Sequence, residues 1–162
     1  MAKADMFLKV EGTKQGPIKG EAVDSQHADE IEVIGWNWGM DSSSTAFSTT
    51  TAKTTMQELV VRKRADSATT GLMSALRASE IIKKATLSIH KAGGAASIPY
   101  LVITIEKARI LSHRIRNETD GAPELCEELR LAFFKVKVEY RPQDVTGAGK
   151  GVHTFEAEVQ TG

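Results

Sequence analysis

The chain has 162 residues, with Lys plus Arg and Asp plus Glu balanced at 21 each, so a formal net charge of zero gives no general field for nucleic acid or an anionic membrane. A single cysteine, Cys126, excludes an intramolecular disulfide, and a chain of this length buries roughly 70% of the surface its unfolded form exposes, enough to hold one domain over residues 1–162. Asp5 and Lys9 interrupt the stretch where a signal peptide needs an apolar run, and no run of about 18 apolar residues marks a membrane span.

Asp5 to Val10 alternates, with Met6, Leu8 and Val10 expected inward, and Gly12 to Pro17 breaks the strand. Gly20 to Val23 reads as the return strand of a hairpin, and Asp24 to Asp29 as a polar connection. Glu30 to Met40 holds both tryptophans and is rich in β-branched and aromatic residues, which suit a pleated, half-buried surface. Its alternation changes phase: Ile31 and Val33 share one parity, Ile34, Trp36 and Trp38 the other. A bulge at Gly35 explains the change, and so does a strand covered on both faces, by its own core and by a neighbouring subunit. The segment Asp41 to Thr55 is Ser/Thr-rich, carries the lone aromatic Phe47, and is expected to protrude as a long loop.

Met56 to Arg64 is the next strand, centred on Leu59, Val60 and Val61. A helix follows over about 67–79, capped by Asp66 or Ser67, with Leu72, Met73 and Leu76 on its apolar face. Ala85, Leu87 and Ile89 alternate with polar residues, Gly93 and Gly94 mark a turn, and Ile98 to Leu111 is apolar on both parities. Arg114 to Pro123 reads as a polar turn, Glu124 to Glu128 is open between helix and strand, and Leu129 to Tyr140 reads as strand with a phase change at Phe133-Phe134. Pro142 ends it, Gly147 to Gly151 is a flexible loop, and His153 to Val159 is the last strand. Roughly seven to nine evenly spaced strands with one helix predict a mainly β fold: an antiparallel β-barrel built from packed sheet, a flanking helix and a long loop.

A search for chemistry finds no catalytic set. His27 lies among Asp24, Asp29 and Glu30, but the four histidines show no metal-site spacing, and capping or surface hydrogen bonding accounts for them. Glu127 and Glu128 disfavour a Cys126 thiolate, G-x-S-x-G is absent, and Gly147 to Gly151 lacks the Ser or Thr and the strand-to-helix context of a phosphate loop. Arg62-Lys63-Arg64 and His113-Arg114-Ile115-Arg116 read as solvated strand ends, with charge pairing between subunits as the alternative. The triplet Asn117-Glu118-Thr119 matters only in a secretory pathway that nothing here indicates. No catalytic residue, cofactor or metal is expected, and a small-molecule-binding barrel or barrel enzyme is the alternative from another class.

Asp5-Met6-Phe7-Leu8-Lys9, Gly20-Glu21, His27 with Glu30-Ile31, Trp36-Asn37-Trp38-Gly39-Met40, Lys91-Ala92-Gly93-Gly94 and Tyr140-Arg141-Pro142-Gln143 occur in an order that resembles the haemolysin co-regulated protein family. The resemblance implies an inner-tube subunit of the bacterial type VI secretion system: a barrel with one flanking helix that forms homohexameric rings, stacks them, and is expelled by a contractile sheath behind a spike. It implies partners in the sheath, spike and baseplate, effectors carried in the lumen, and a subunit made in the cytoplasm and exported without a signal peptide. A phage-type tail tube protein shares that architecture. Toxin-bearing members continue past the barrel, so a chain ending at Gly162 is expected to be a plain structural subunit. Within this frame Ser43, Ser44, Thr45 and Phe47 are candidates for ring stacking, and Asn37 for the lumen and cargo. Trp36 and Trp38 serve as core anchors, and the Ile31/Val33 face lies near a subunit boundary.

Overall fold

A computed structural model describes residues 5–42, 54–91, 99–117, 124–142 and 151–159. The elements in chain order are β1 (Met6–Gly12), β2 (Gly16–Pro17), β3 (Ile31–Asn37), β4 (Met40–Ser42), β5 (Thr54–Met56), β6 (Leu59–Arg64), α1 (Thr69–Arg77), β7 (Ile82–Ile89), β8 (Leu101–Asn117), β9 (Leu125–Tyr140) and β10 (His153–Glu158). Adjacent strands run β9-β6-β3-β1-β7-β8, and β8 pairs with β9 along its length, so the antiparallel sheet closes on itself. Closure leaves few free backbone edges, which is how a β fold of this size avoids edge-to-edge aggregation.

β9 is long enough to serve two neighbours on its other side. Cys126 to Leu131 pairs with β6, and Lys135 to Tyr140 pairs with β10. The long β8–β9 hairpin explains the phase changes seen in sequence. Ile103 and Ile105, then Ala108 and Ile110, are buried on β8, while Leu129, Leu131, Phe133 and Val136 are buried on β9. Both strands change phase at the same level, around Lys107, whose φ of 50° is a left-handed conformation costly for a side chain other than glycine.

The barrel interior is filled: Leu8, Ile31, Leu59, Val61, Leu87, Ile105, Leu129 and Leu131 are buried at 0–1% exposure. Helix α1 packs against β8 and closes one side with Ala68, Leu72 and Ala75. Just past it, Glu80 accepts hydrogen bonds from the backbone amides of Lys14 and Gln15 at 2.9 and 3.0 Å and from Gln15 Nε2 at 3.1 Å, clamping the β1–β2 turn. Burial opposes the Glu80 charge, but these hydrogen bonds outweigh it and hold the carboxyl below its ordinary range.

Several expectations change. The return strand after β1 is Gly16–Pro17, while residues 18–24 form no strand although their amides bond to Val10, Asp29 and Glu30 carbonyls. The strand expected at Met56 to Arg64 is divided into β5 and β6 by Gln57 and Glu58. Met73 is exposed and Ala75 takes its place on the buried helix face; Ala68 is the N-cap residue, with its amide donating to Asp66 Oδ1 at 2.9 Å. Arg114 to Asn117 continues β8, and residues 125–128 are strand: the opposite register, with Asn117 facing Leu125 and Arg114 facing Glu128, overrides a local helix signal. Ile31 and Val33 lie in the barrel core at 0% and 4% exposure, not at a subunit boundary.

Candidate functional site

The tryptophan strand contains the expected irregularity, a register shift between Val33 and Gly35 against β6. Beyond it Trp36 faces Val61 and Asn37 faces Val60 in register. Trp36 and Trp38 are partly buried and pack on the core cluster, and Trp38 Nε1 donates to the Gln57 carbonyl at 2.9 Å across the gap between β5 and β6. Asn37 is exposed between them. From here Met40–Ser42 pairs with Thr54–Met56 as a separate ribbon, so the two described ends of the expected loop form an antiparallel pair outside the barrel sheet's ladder. Ser43, Ser44, Thr45 and Phe47 lie outside the described residues, as do Gly93, Gly94 and most of the Gly147 to Gly151 loop.

The surface also presents large apolar side chains. On the far end of the β8–β9 hairpin Leu111, Ile115 and Leu125 are exposed, and at its other end Tyr140 and Phe155 are exposed on β9 and β10. They add nothing to the filled interior of the barrel.

Two polar clusters were hidden from a linear reading. Lys63, expected as part of a solvated basic run, is fully buried: its Nζ lies 2.6 Å from Glu127 Oε2 and 2.8 Å from Asp66 Oδ1. Thr69 Oγ1 donates to Glu127 Oε2 at 2.6 Å, and His113 Nε2 meets Glu127 Oε1 at 2.7 Å. The cluster therefore ties α1 to β6, β8 and β9. Burial acts against the Glu127 charge, but the hydrogen bonds from Lys63, Thr69 and His113 and the Lys63 charge hold its carboxyl below the ordinary range. Arg64 pairs with Glu124 at 3.2 Å and Arg130 with Glu128 at 3.4 Å, so charge pairing occurs within the chain. Alternation could have placed Lys63 inward, since it shares the parity of Leu59 and Val61; its charge concealed it.

The second cluster joins His27 and His90, which sequence spacing did not pair: their Nε2 atoms are 2.8 Å apart. His27 Nδ1 reaches Glu30 Oε1 at 3.1 Å, and its ring stacks on Phe7 at 4.3 Å between centroids. Asp24 and Asp29 do not complete a metal set with them; among the described residues no group of three or more His, Cys, Asp or Glu side chains could hold an ion. Cys126 is buried at 6% exposure. Among the described residues no helix is long and apolar enough to cross a membrane.

A closed antiparallel barrel with a filled interior, a single flanking helix among the described residues and a separate two-stranded ribbon places the protein in the class of small all-β barrels with no open ligand cup. The sequence profile described as "Type VI secretion system effector, Hcp" matches residues 7–140, and the chain belongs to this family. It is 35% identical over 150 residues to protein hcp1 of Pseudomonas aeruginosa, covering 91% of this chain and 89% of that protein. Among solved structures it resembles a type six secretion system protein with a TM-score of 0.84, 25% identity and 96% of each chain covered. It also resembles Hcp1 from Salmonella typhimurium with a TM-score of 0.76 and 29% identity, covering 98% of this chain and 95% of that one.

Proposed function

We propose that the chain is a non-enzymatic tube subunit of a type VI secretion system. Six copies form a ring, rings stack, the contractile sheath expels the tube behind its spike, and the lumen carries effector proteins. The subunit is made in the bacterial cytoplasm and leaves through the apparatus. The observation that supports this reading is a filled barrel with large apolar side chains left on its surface: the interior is occupied by leucine, isoleucine and valine side chains, while Leu111, Ile115, Leu125, Tyr140 and Phe155 are exposed. A ligand-binding barrel would instead keep an open, largely apolar cavity inside.

The segment between β4 and β5 is the ring-stacking element in this reading, with Ser43, Ser44, Thr45 and Phe47 at the contact; in support, β4 and β5 pair with each other in a two-stranded sheet separate from the barrel sheet. Deleting residues 43–52 is expected to leave the fold and the ring intact and abolish tube growth, read by light scattering after size exclusion and by electron microscopy. Tubes of normal length from the deletion variant would remove the stacking role, and a parent protein that stays monomeric at high concentration would overturn the ring. Asn37, exposed beside two anchored tryptophans, is the lumen-facing candidate. Asn37→Arg is expected to weaken effector retention in a pull-down while leaving the unfolding midpoint unchanged; undiminished retention would sink that assignment.

A further inference from the structure

We propose that His27 and His90 form an acid-sensitive latch that fastens the segment between β2 and β3 to the barrel. Residues 18–30 run outside the strands, with Ile18, Ala22 and His27 as buried contacts and Val23 exposed at 91%. The latch is one hydrogen bond between two ring nitrogens, His27 Nε2 and His90 Nε2, 2.8 Å apart and 63 residues apart in sequence.

Such a contact needs one N–H donor and one lone pair. Glu30 Oε1 lies 3.1 Å from His27 Nδ1 and so favours a proton on that nitrogen, which leaves His27 Nε2 as the acceptor and His90 Nε2–H as the donor. One additional proton is compatible with this arrangement, because His90 as an imidazolium still donates. A second is not: with both rings doubly protonated, two N–H groups and two positive charges face each other across 2.8 Å, and the contact must open. The Phe7 face stacked on His27 supplies apolar packing and no acceptor to replace what is lost.

The charged groups around the pair come from each neighbouring element. Among the described residues Glu30, Asp29, Asp24 and Glu21 belong to the segment itself, and Glu21 Oε2 accepts from the Ser67 amide at 2.7 Å. Asp5 precedes β1, and its carbonyl accepts from the His90 amide at 2.8 Å. Glu32 stands opposite Phe7 on β3, and Lys91 follows His90. A carboxylate among these could open the segment in acid by a different route, so the test must separate it from the histidines.

Substitution His90→Gln does so, since an amide rotates to offer either its N–H or its oxygen and can face His27 in both protonation states. The reporters are the amide of Ser67, which donates to Glu21 Oε2 across the junction with the rest of the chain, and those of Gly20, Ala22 and Asp29 within the segment, which donate to the carbonyls of Asp29, Glu30 and Ala22. Hydrogen exchange is followed by NMR in EDTA from about pH 7.5 to about pH 5.5, corrected for intrinsic rates, across the range where histidines take up protons. In the parent protein these amides are expected to lose about tenfold or more of their protection as pH falls, while Ile105 and Leu131 in the barrel keep theirs. His90→Gln should keep the segment protected throughout, and His27→Ala should leave it open at every pH. Protection that persists in the parent to the lower pH overturns the latch, as does a His90→Gln variant that opens in parallel with the parent.

Discussion

The side chain of Glu127 is wholly buried, and Lys63, Thr69 and His113 converge on its two oxygens. Removing one member of such a cluster costs more than the pair contributes, because the other charge stays buried without its partner. Glu127→Gln is therefore expected to destabilise the fold by about 3–5 kcal/mol, measured by urea unfolding at neutral pH. The pH dependence has a definite sign. A carboxyl held below its ordinary value of 4.5 contributes its full stability above that pH and loses it as pH falls through the lower folded value. The gap between the parent and Glu127→Gln should consequently narrow below about pH 4.5; a gap that widens in acid would refute the assignment. Glu80, also held low, adds to the acid sensitivity of both proteins equally. Of this cluster the sequence showed only the residue types. A buried lysine is rare enough that a basic run such as Arg62 to Arg64 is reasonably read as solvated, and for Lys63 a partner 64 residues away decides otherwise.

At the scale of elements, composition located most strands, and pairing partners set their limits. The alternation of Ala85, Leu87 and Ile89 and the phase change near Gly35 both have structural counterparts in β7 and in the shifted β3–β6 register. Residues 125–128 show where local signals fail: Pro123, Glu124 and the leucine spacing suggest a helix, but cross-strand pairing on both sides, to β6 and to β8, draws the segment into the sheet. The coordinated phase change of β8 and β9 rests on Lys107, whose Nζ lies 5.3 Å from the centre of the Phe134 ring. Glycine adopts positive φ without penalty, so Lys107→Gly should be neutral to stabilising by up to about 1 kcal/mol, whereas Lys107→Val should cost roughly 1–3 kcal/mol. A strongly destabilised glycine variant in thermal unfolding would mean that the cation–π contact outweighs the backbone strain.

At the scale of the molecule, β9 sits between two circuits: half of its edge completes the barrel through β6 and half carries β10. The outer strand and the far hairpin end both place apolar residues outside a core that is already complete. This arrangement gives a barrel whose core is complete within one chain, and it is the reason the proposed ring predicts a change in molecular mass rather than in folding. The order of short motifs from Asp5 to Gln143 was enough to place the family, and even spacing of strands with a single helix was enough for the barrel. Those features are written in local composition and period, which a linear chain displays. What the tertiary structure alone decided are the contacts between distant positions: the burial of Lys63 against Glu127, the meeting of His27 with His90, and the choice of Ile31 and Val33 for the core. Burial and hydrogen-bond partners depend on which strands lie side by side, and sheet closure fixes that only when the whole chain has folded.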